Sequence, residues 1–142
     1  MKNLLCSATV LVLSAGAAAA GPVDVTDAWF RALPGHLPAG GYFTAVNTTG
    51  SEIDITGAQS DACGMLMLHK SEDKGGMSSM SMVEKIAVAP GGMVRFAPGG
   101  YHLMCTNPKP KLKIGNRVPV TLDLSNGVHV TVAFAVRGAT GK

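Results

Sequence analysis

The chain has 142 residues, enough for one ordinary domain and short for two. Charged residues make up 15% and hydrophobic ones 46%, with 18 Gly and 8 Pro, which argues against a helix bundle, a coiled coil or a disordered chain. The net charge of +3 comes from scattered Lys and Arg, apart from Lys109, Lys111 and Lys113 at alternate positions, so no nucleic-acid footprint is indicated.

Residues 1–20 read as a signal peptide. Lys2 is followed by an apolar run from Leu4 to Leu13, broken by Cys6, Ser7 and Thr9, and Ala18-Ala19-Ala20 fits a small-residue cleavage site before Gly21. The run is too short for a comfortable membrane span, and Cys6 lies too near the start for a convincing lipid-attachment cysteine. Residues 21–142 are therefore expected to form one exported domain without a membrane span. Short strands follow, punctuated by Gly and Pro: Val25–Arg31, Gly41–Val46, Ile53–Gln59, Met65–Lys70, Met80–Val88, Met93–Ala97, Tyr101–Cys105, Val118–Leu124 and Val128–Val136. Asn126-Gly127 is a strong hairpin signal between the last two, and Val128, Val130, Val132 and Phe134 share one face. Ser71 to Gly76 reads as a polar loop. Ala89-Pro90-Gly91-Gly92 recurs as Ala97-Pro98-Gly99-Gly100, so the segment 80–105 is predicted to be a tight three-strand meander. The pattern predicts an all-β, Greek-key sandwich or barrel of about eight or nine strands.

Two cysteines lie in the exported part, Cys63 and Cys105, and an oxidising compartment permits one bridge between them. No nucleophile elbow, zincin, phosphate loop or paired-carboxylate pattern is present, which leaves nothing positive to argue an enzyme from, and the chain is read as not being one. Methionine is the unusual feature. Met65 and Met67, inside the run Met65-Leu66-Met67-Leu68, read as core fillers. Met77, Met80 and Met82 lie among Gly and Ser, with no other apolar residue to define a core. His102 and Met104 stand two apart on one strand and so share a face, where imidazole and thioether can bind one ion. His69 ends the strand before the polar loop and Met80 begins the strand after it.

The spacing His69-x10-Met80-x21-His102-x-Met104 resembles the copper motif of the periplasmic copper chaperones called PCuAC. Ala28-Trp29-Phe30-Arg31-Ala32, Gly41-Tyr42-Phe43, Asn47 and Pro98-Gly99-Gly100-Tyr101-His102-Leu103-Met104 are also similar to segments of that family. The resemblance implies a cupredoxin-like β-barrel or sandwich holding Cu(I) with His69, Met80, His102 and Met104. Met77 and Met82 depart from the family pattern as additional thioethers close to Met80, and are read as candidate auxiliary ligands. The resemblance further implies a periplasmic carrier, read as a monomer, that delivers copper toward the binuclear copper site of cytochrome c oxidase, on subunit II or through a Sco-type chaperone. Cu(I) favours thioether sulfur with imidazole, and thioethers cannot oxidise to a disulfide. Cys105 follows Met104 and by alternation points to the other face, which favours a Cys63–Cys105 bridge over a ligand thiol. Two rival readings are a blue-copper electron carrier using Cys105 and an exported β-domain that binds a protein partner without metal. His36 and His129 read as surface histidines.

Overall fold

The computed structural model describes residues 21–142, so the proposed signal peptide lies outside the described residues. The elements are β1 (Val23–Arg31), β2 (Ala39–Asn47), β3 (Ile53–Gln59), β4 (Cys63–Lys74), β5 (Met77–Met82), β6 (Ile86–Val88), β7 (Met93–Phe96), β8 (Tyr101–Pro108), β9 (Arg117–Leu124) and β10 (His129–Arg137). They form one sheet in the order β5-β4-β8-β2-β1-β10-β9-β3-β6, with β7 paired to β2. The β1–β10 pair is parallel and the other pairs are antiparallel. β3 packs beside β4, bringing the sheet round into a cupredoxin-like barrel.

Alternation selects the core. Leu68, Leu103, Cys105, Val118, Val120, Leu122 and Phe134 point inward and are buried. Phe134 is the aromatic hub, with its ring centroid 5.2 Å from Phe30 and 5.8 Å from Phe43, which stacks on Phe96 at 4.1 Å. The Asn126-Gly127 turn joins β9 to β10 as the sequence suggests, Gly127 taking φ 78°. Asn47 is wholly buried; its amide donates to the Ser51 and Val88 carbonyls, pinning β2 to the end of β6.

Three local expectations need correction. The segment Met80–Val88 is two strands, because β5 pairs with β4 whereas β6 pairs with β3 at the far end of the sheet order. All of β5 is exposed, while Ile86 and Val88 must reach the core, so the chain crosses over between them. Ser71–Gly76 is not a loop: β4 runs on to Lys74 and turns at Gly75-Gly76, whose φ values of 60° and 81° suit a two-residue hairpin. The segment 80–105 is not a meander. Both Ala-Pro-Gly-Gly turns form, with Gly92 N–H donating to the Ala89 carbonyl and Gly100 N–H to the Ala97 carbonyl. They send β6, β7 and β8 to different partners, β3, β2, and β4 with β2.

Candidate metal centre

Strands β4 and β8 carry three of the four predicted ligands in a fixed register. His69 lies opposite His102, and Met67 lies opposite Met104. Directly opposed side chains on an antiparallel pair stand on one face with Cβ atoms about 5 Å apart. The two imidazole centroids are 5.7 Å apart. On the opposite face of β8, Leu103 and Cys105 point into the core and are fully buried. The alternation inferred for β8 is therefore present.

The β4–β5 hairpin supplies the remaining thioether. Met80 lies opposite Ser71 and Met82 opposite His69, so both share the face of His69. Met77 lies opposite Lys74, on the other face, and is not brought to the cluster. Met80, His102 and Met104 line an open cleft of about 400 Å³ together with Ser71, Arg31 and Tyr42, whereas His69 is not among its lining residues. The loop between β1 and β2 lends Leu33 and Leu37 to the rim.

The histidines differ in their second nitrogens. His102 is 5% exposed, and its Nδ1–H donates to the Gly100 carbonyl at 3.1 Å. That bond fixes the ring and leaves Nε2 as the free donor atom for an ion. His69 is half-buried; its Nδ1 is buried and has no hydrogen-bond partner. Burial, reinforced by the charge of His102, holds the His69 imidazole below its ordinary pKa.

Arg31 reaches the wall because β1 carries a bulge. The register shifts between Thr26 and Trp29, with Asp27 at φ 51°, so Val23 and Phe30 both point inward although seven residues separate them. Trp29 and Arg31 consequently face outward. The Arg31 guanidinium lies 5.6 Å over the Trp29 ring and 5.4 Å over Tyr42.

Cys63 and Cys105 form a disulfide with an S–S distance of 2.04 Å. Neither sulfur is then a thiolate, which removes the ligand a blue-copper reading requires. One expectation for the methionines fails. Met65 and Met67 are not core fillers: Met65 is 56% exposed, and both share the outward face of His69. Period-two alternation counted back from His69 was the signal, since Leu66 and Leu68 occupy the inward positions. His36 is exposed, and His129 is exposed and paired with Asp123 at 2.7 Å, as surface histidines should be.

Two imidazoles and a bank of thioethers on the outside of a cupredoxin-like barrel define a protein of the PCuAC class. Residues 23–136 match the family described as "Putative lipoprotein LpqE-like", and the chain belongs to it. It is 34% identical over 121 residues to "Putative lipoprotein Lxx21020" of Leifsonia xyli subsp. xyli, spanning 84% of this chain and 72% of that one. Among solved structures, the copper-bound PCuAC domain from PmoF2 superposes with a TM-score of 0.70 at 24% identity, covering 85% of this chain and 97% of that one. The solution structure of CuI-DR1885 from Deinococcus radiodurans gives 0.64 at 27% identity, covering 87% and 81%.

Proposed function

We propose that the protein is an exported, periplasmic copper chaperone that carries one Cu(I) on His69, Met80, His102 and Met104. The observation that carries this reading is the β4–β8 register, which opposes the two histidines on the face where Met104 and Met80 line a cleft. All four donors are uncharged when both imidazoles are neutral, so the bound ion keeps its single positive charge. Soft Cu(I) suits that donor set, and it undergoes no redox change on binding. Likeness to the copper-bound PCuAC domain and to CuI-DR1885 supports the choice of metal. Relatives named as lipoproteins support export. The partly exposed site, with Met80 62% exposed on a hairpin, lets an acceptor approach the ion and exchange ligands with it. Delivery toward the binuclear copper site of cytochrome c oxidase, on subunit II or through a Sco-type protein, follows from the family resemblance. The protein acts as a carrier and not as an enzyme.

An anaerobic competition titration against a chromophoric Cu(I) chelator tests the site. Wild type should take up one ion, with affinity much weakened in Met104→Ala and in the His69→Ala/His102→Ala double variant. Failure of wild type to compete with the chelator would refute the copper reading. Transfer to an isolated subunit II copper domain, followed by its visible absorption, tests delivery separately.

A further inference from the structure

The proposed copper ligands leave one charged wall of the cleft unused. Arg31 lines the same cleft as Met80, His102 and Met104. The strand register sets it in a row on the outer face: Arg137 of β10 lies opposite Arg31, Arg31 opposite Gly40, and Gly40 opposite Met104. Their neighbours Phe30, Val136, Ala39 and Leu103 are buried, which fixes the row as outward. Neighbouring strands lie about 4.8 Å apart, so the backbones of Arg31 and Met104 are about 10 Å apart. Gly40 puts no side chain between them. The Tyr42 hydroxyl stands there instead, 2.5 Å from where a Cβ on Gly40 would lie.

Two like charges directly opposite one another destabilise a sheet unless something compensates them. The Trp29 ring does so in part, with the Arg31 and Arg137 guanidinium carbons 5.6 and 5.3 Å from its centroid. Stacking occupies the face of a guanidinium and leaves its in-plane N–H donors free. Among the described residues, no carboxylate forms an ion pair with either group. The Arg31 Nε is buried and has no hydrogen-bond partner, a state that costs free energy until an acceptor arrives. No Asp or Glu lines the cleft, and Asp27, the nearer acid on β1, lines a separate pocket with Arg95.

We propose that Arg31 and Arg137, with the Tyr42 hydroxyl, form a docking position for an acidic side chain of a protein that exchanges copper with this cleft. The arginine row stands without the metal; that its partner exchanges copper rests on the carrier reading. A carboxylate supplies the missing charge, and its two oxygens match the guanidinium fork. A projecting side chain fits a concave wall, which a flat lipid surface does not. A docked protein covers far more than the distance from Arg31 to Met104, so it reaches Met80 across the same cleft. Cu(I) on neutral donors would add its positive charge to a cleft that has no carboxylate. The loaded form would then attract an acidic partner more strongly than the empty one.

A dye-labelled deca-glutamate peptide is the probe, its fluorescence anisotropy being followed as copper-free protein is added at low ionic strength. Binding should saturate and weaken steeply as salt is raised. Trp29, the single tryptophan, lies against both guanidinium groups, so its emission should change with the same midpoint. Arg31→Gln/Arg137→Gln should weaken binding at least about tenfold. Arg137→Gln alone, whose side chain does not line the cleft, should weaken it about threefold or more, and it serves if the double variant folds poorly. Lys109→Gln/Lys111→Gln/Lys113→Gln, which removes the other basic cluster, should stay within about twofold of wild type. Equal binding by the arginine variants, loss in the lysine variant instead, or binding indifferent to salt would overturn the docking position. So would arginine-dependent binding to phosphatidylglycerol vesicles without binding of the peptide, which would assign the row to a membrane. Failure of wild type to take up Cu(I) in the chelator titration, with peptide binding intact, would instead overturn the carrier reading and leave the acidic docking position standing.

Discussion

Removing the Cys63–Cys105 bridge should test how the β4–β8 platform is held. The two cysteines are 42 residues apart, and Cys105 is fully buried. Constraining a loop of that length in the unfolded chain stabilises the fold by about 4 kcal/mol in the chain-entropy model. A domain of this size has an unfolding entropy near 0.26 kcal/mol/K, so the loss corresponds to a fall in Tm of about 15 °C. The perturbation is Cys63→Ala/Cys105→Ala, compared with wild type under reducing and non-reducing conditions. Far-UV circular dichroism through a thermal scan reads the change. Met104 immediately precedes Cys105 and His102 lies three residues before it, so Cu(I) affinity at 25 °C should weaken as well, before any global unfolding. A fall in Tm of less than about 4 °C would refute the entropic account, because that is roughly the shift of a single kcal/mol.

Other outcomes can be checked with the same assays. Because burial holds the His69 imidazole below its ordinary pKa, the unfolded chain binds more protons between the two values. Stability of the apo protein should therefore be full above about pH 6.5 and fall as pH drops through the lower, folded value. Urea midpoints between pH 5 and 7 should show this slope in wild type and lose part of it in His69→Gln; parallel slopes would contradict the assignment. Phe134→Ala removes the ring that meets Phe30 and Phe43 and should cost about 3–5 kcal/mol, read by chemical denaturation. In Gly40→Ala, the added Cβ would lie 2.5 Å from the Tyr42 hydroxyl oxygen, so the ring in the cleft wall must shift. About 1–3 kcal/mol of stability and part of the Cu(I) affinity should be lost. Trp29, the single tryptophan, packs 4.9 Å from Tyr42, and unchanged fluorescence in that variant would argue that the wall had not moved.

The outward set on β8 was legible because two residues on one strand suffice to define it: His102 and Met104 share a face whatever the strand pairs with. The Asn126-Gly127 hairpin was legible for a similar reason, since the turn and both strands are contiguous. Pairings between distant segments were not. Both Ala-Pro-Gly-Gly turns were identified, but a turn fixes only where the chain bends. Which edge takes β6 depended on burying Ile86 and Val88 beside β3, a long-range condition. Met67 was missed because an unbroken run of Met and Leu looks uniformly apolar until a neighbour fixes its phase. The bulge in β1 was hidden as well, because Asp27 at positive φ leaves no mark that distinguishes it from an ordinary polar strand residue.

On the carrier reading proposed above, alternation would let the site exchange its cargo without disturbing the fold. On β8, Leu103 and Cys105 belong to the core while His102 and Met104 belong to the cleft, so adjacent residues serve separate environments. A change of coordination moves side chains on the outer face and leaves the inner face packed. β4 and β8 are held in register by their ladder, which opposes His69 and His102, and are joined by the disulfide. The third strand is different. β5 is an edge strand with six exposed residues, attached to the barrel through its pairing with β4. Met80, the proposed donor on this strand, is thus the one that could leave at least cost, because no core contact has to break with it. An acceptor approaching from the β5 edge would displace a thioether before an imidazole. That order predicts a three-coordinate intermediate retaining His69, His102 and Met104, and Met80→Leu should approximate its affinity more closely than any variant on β8.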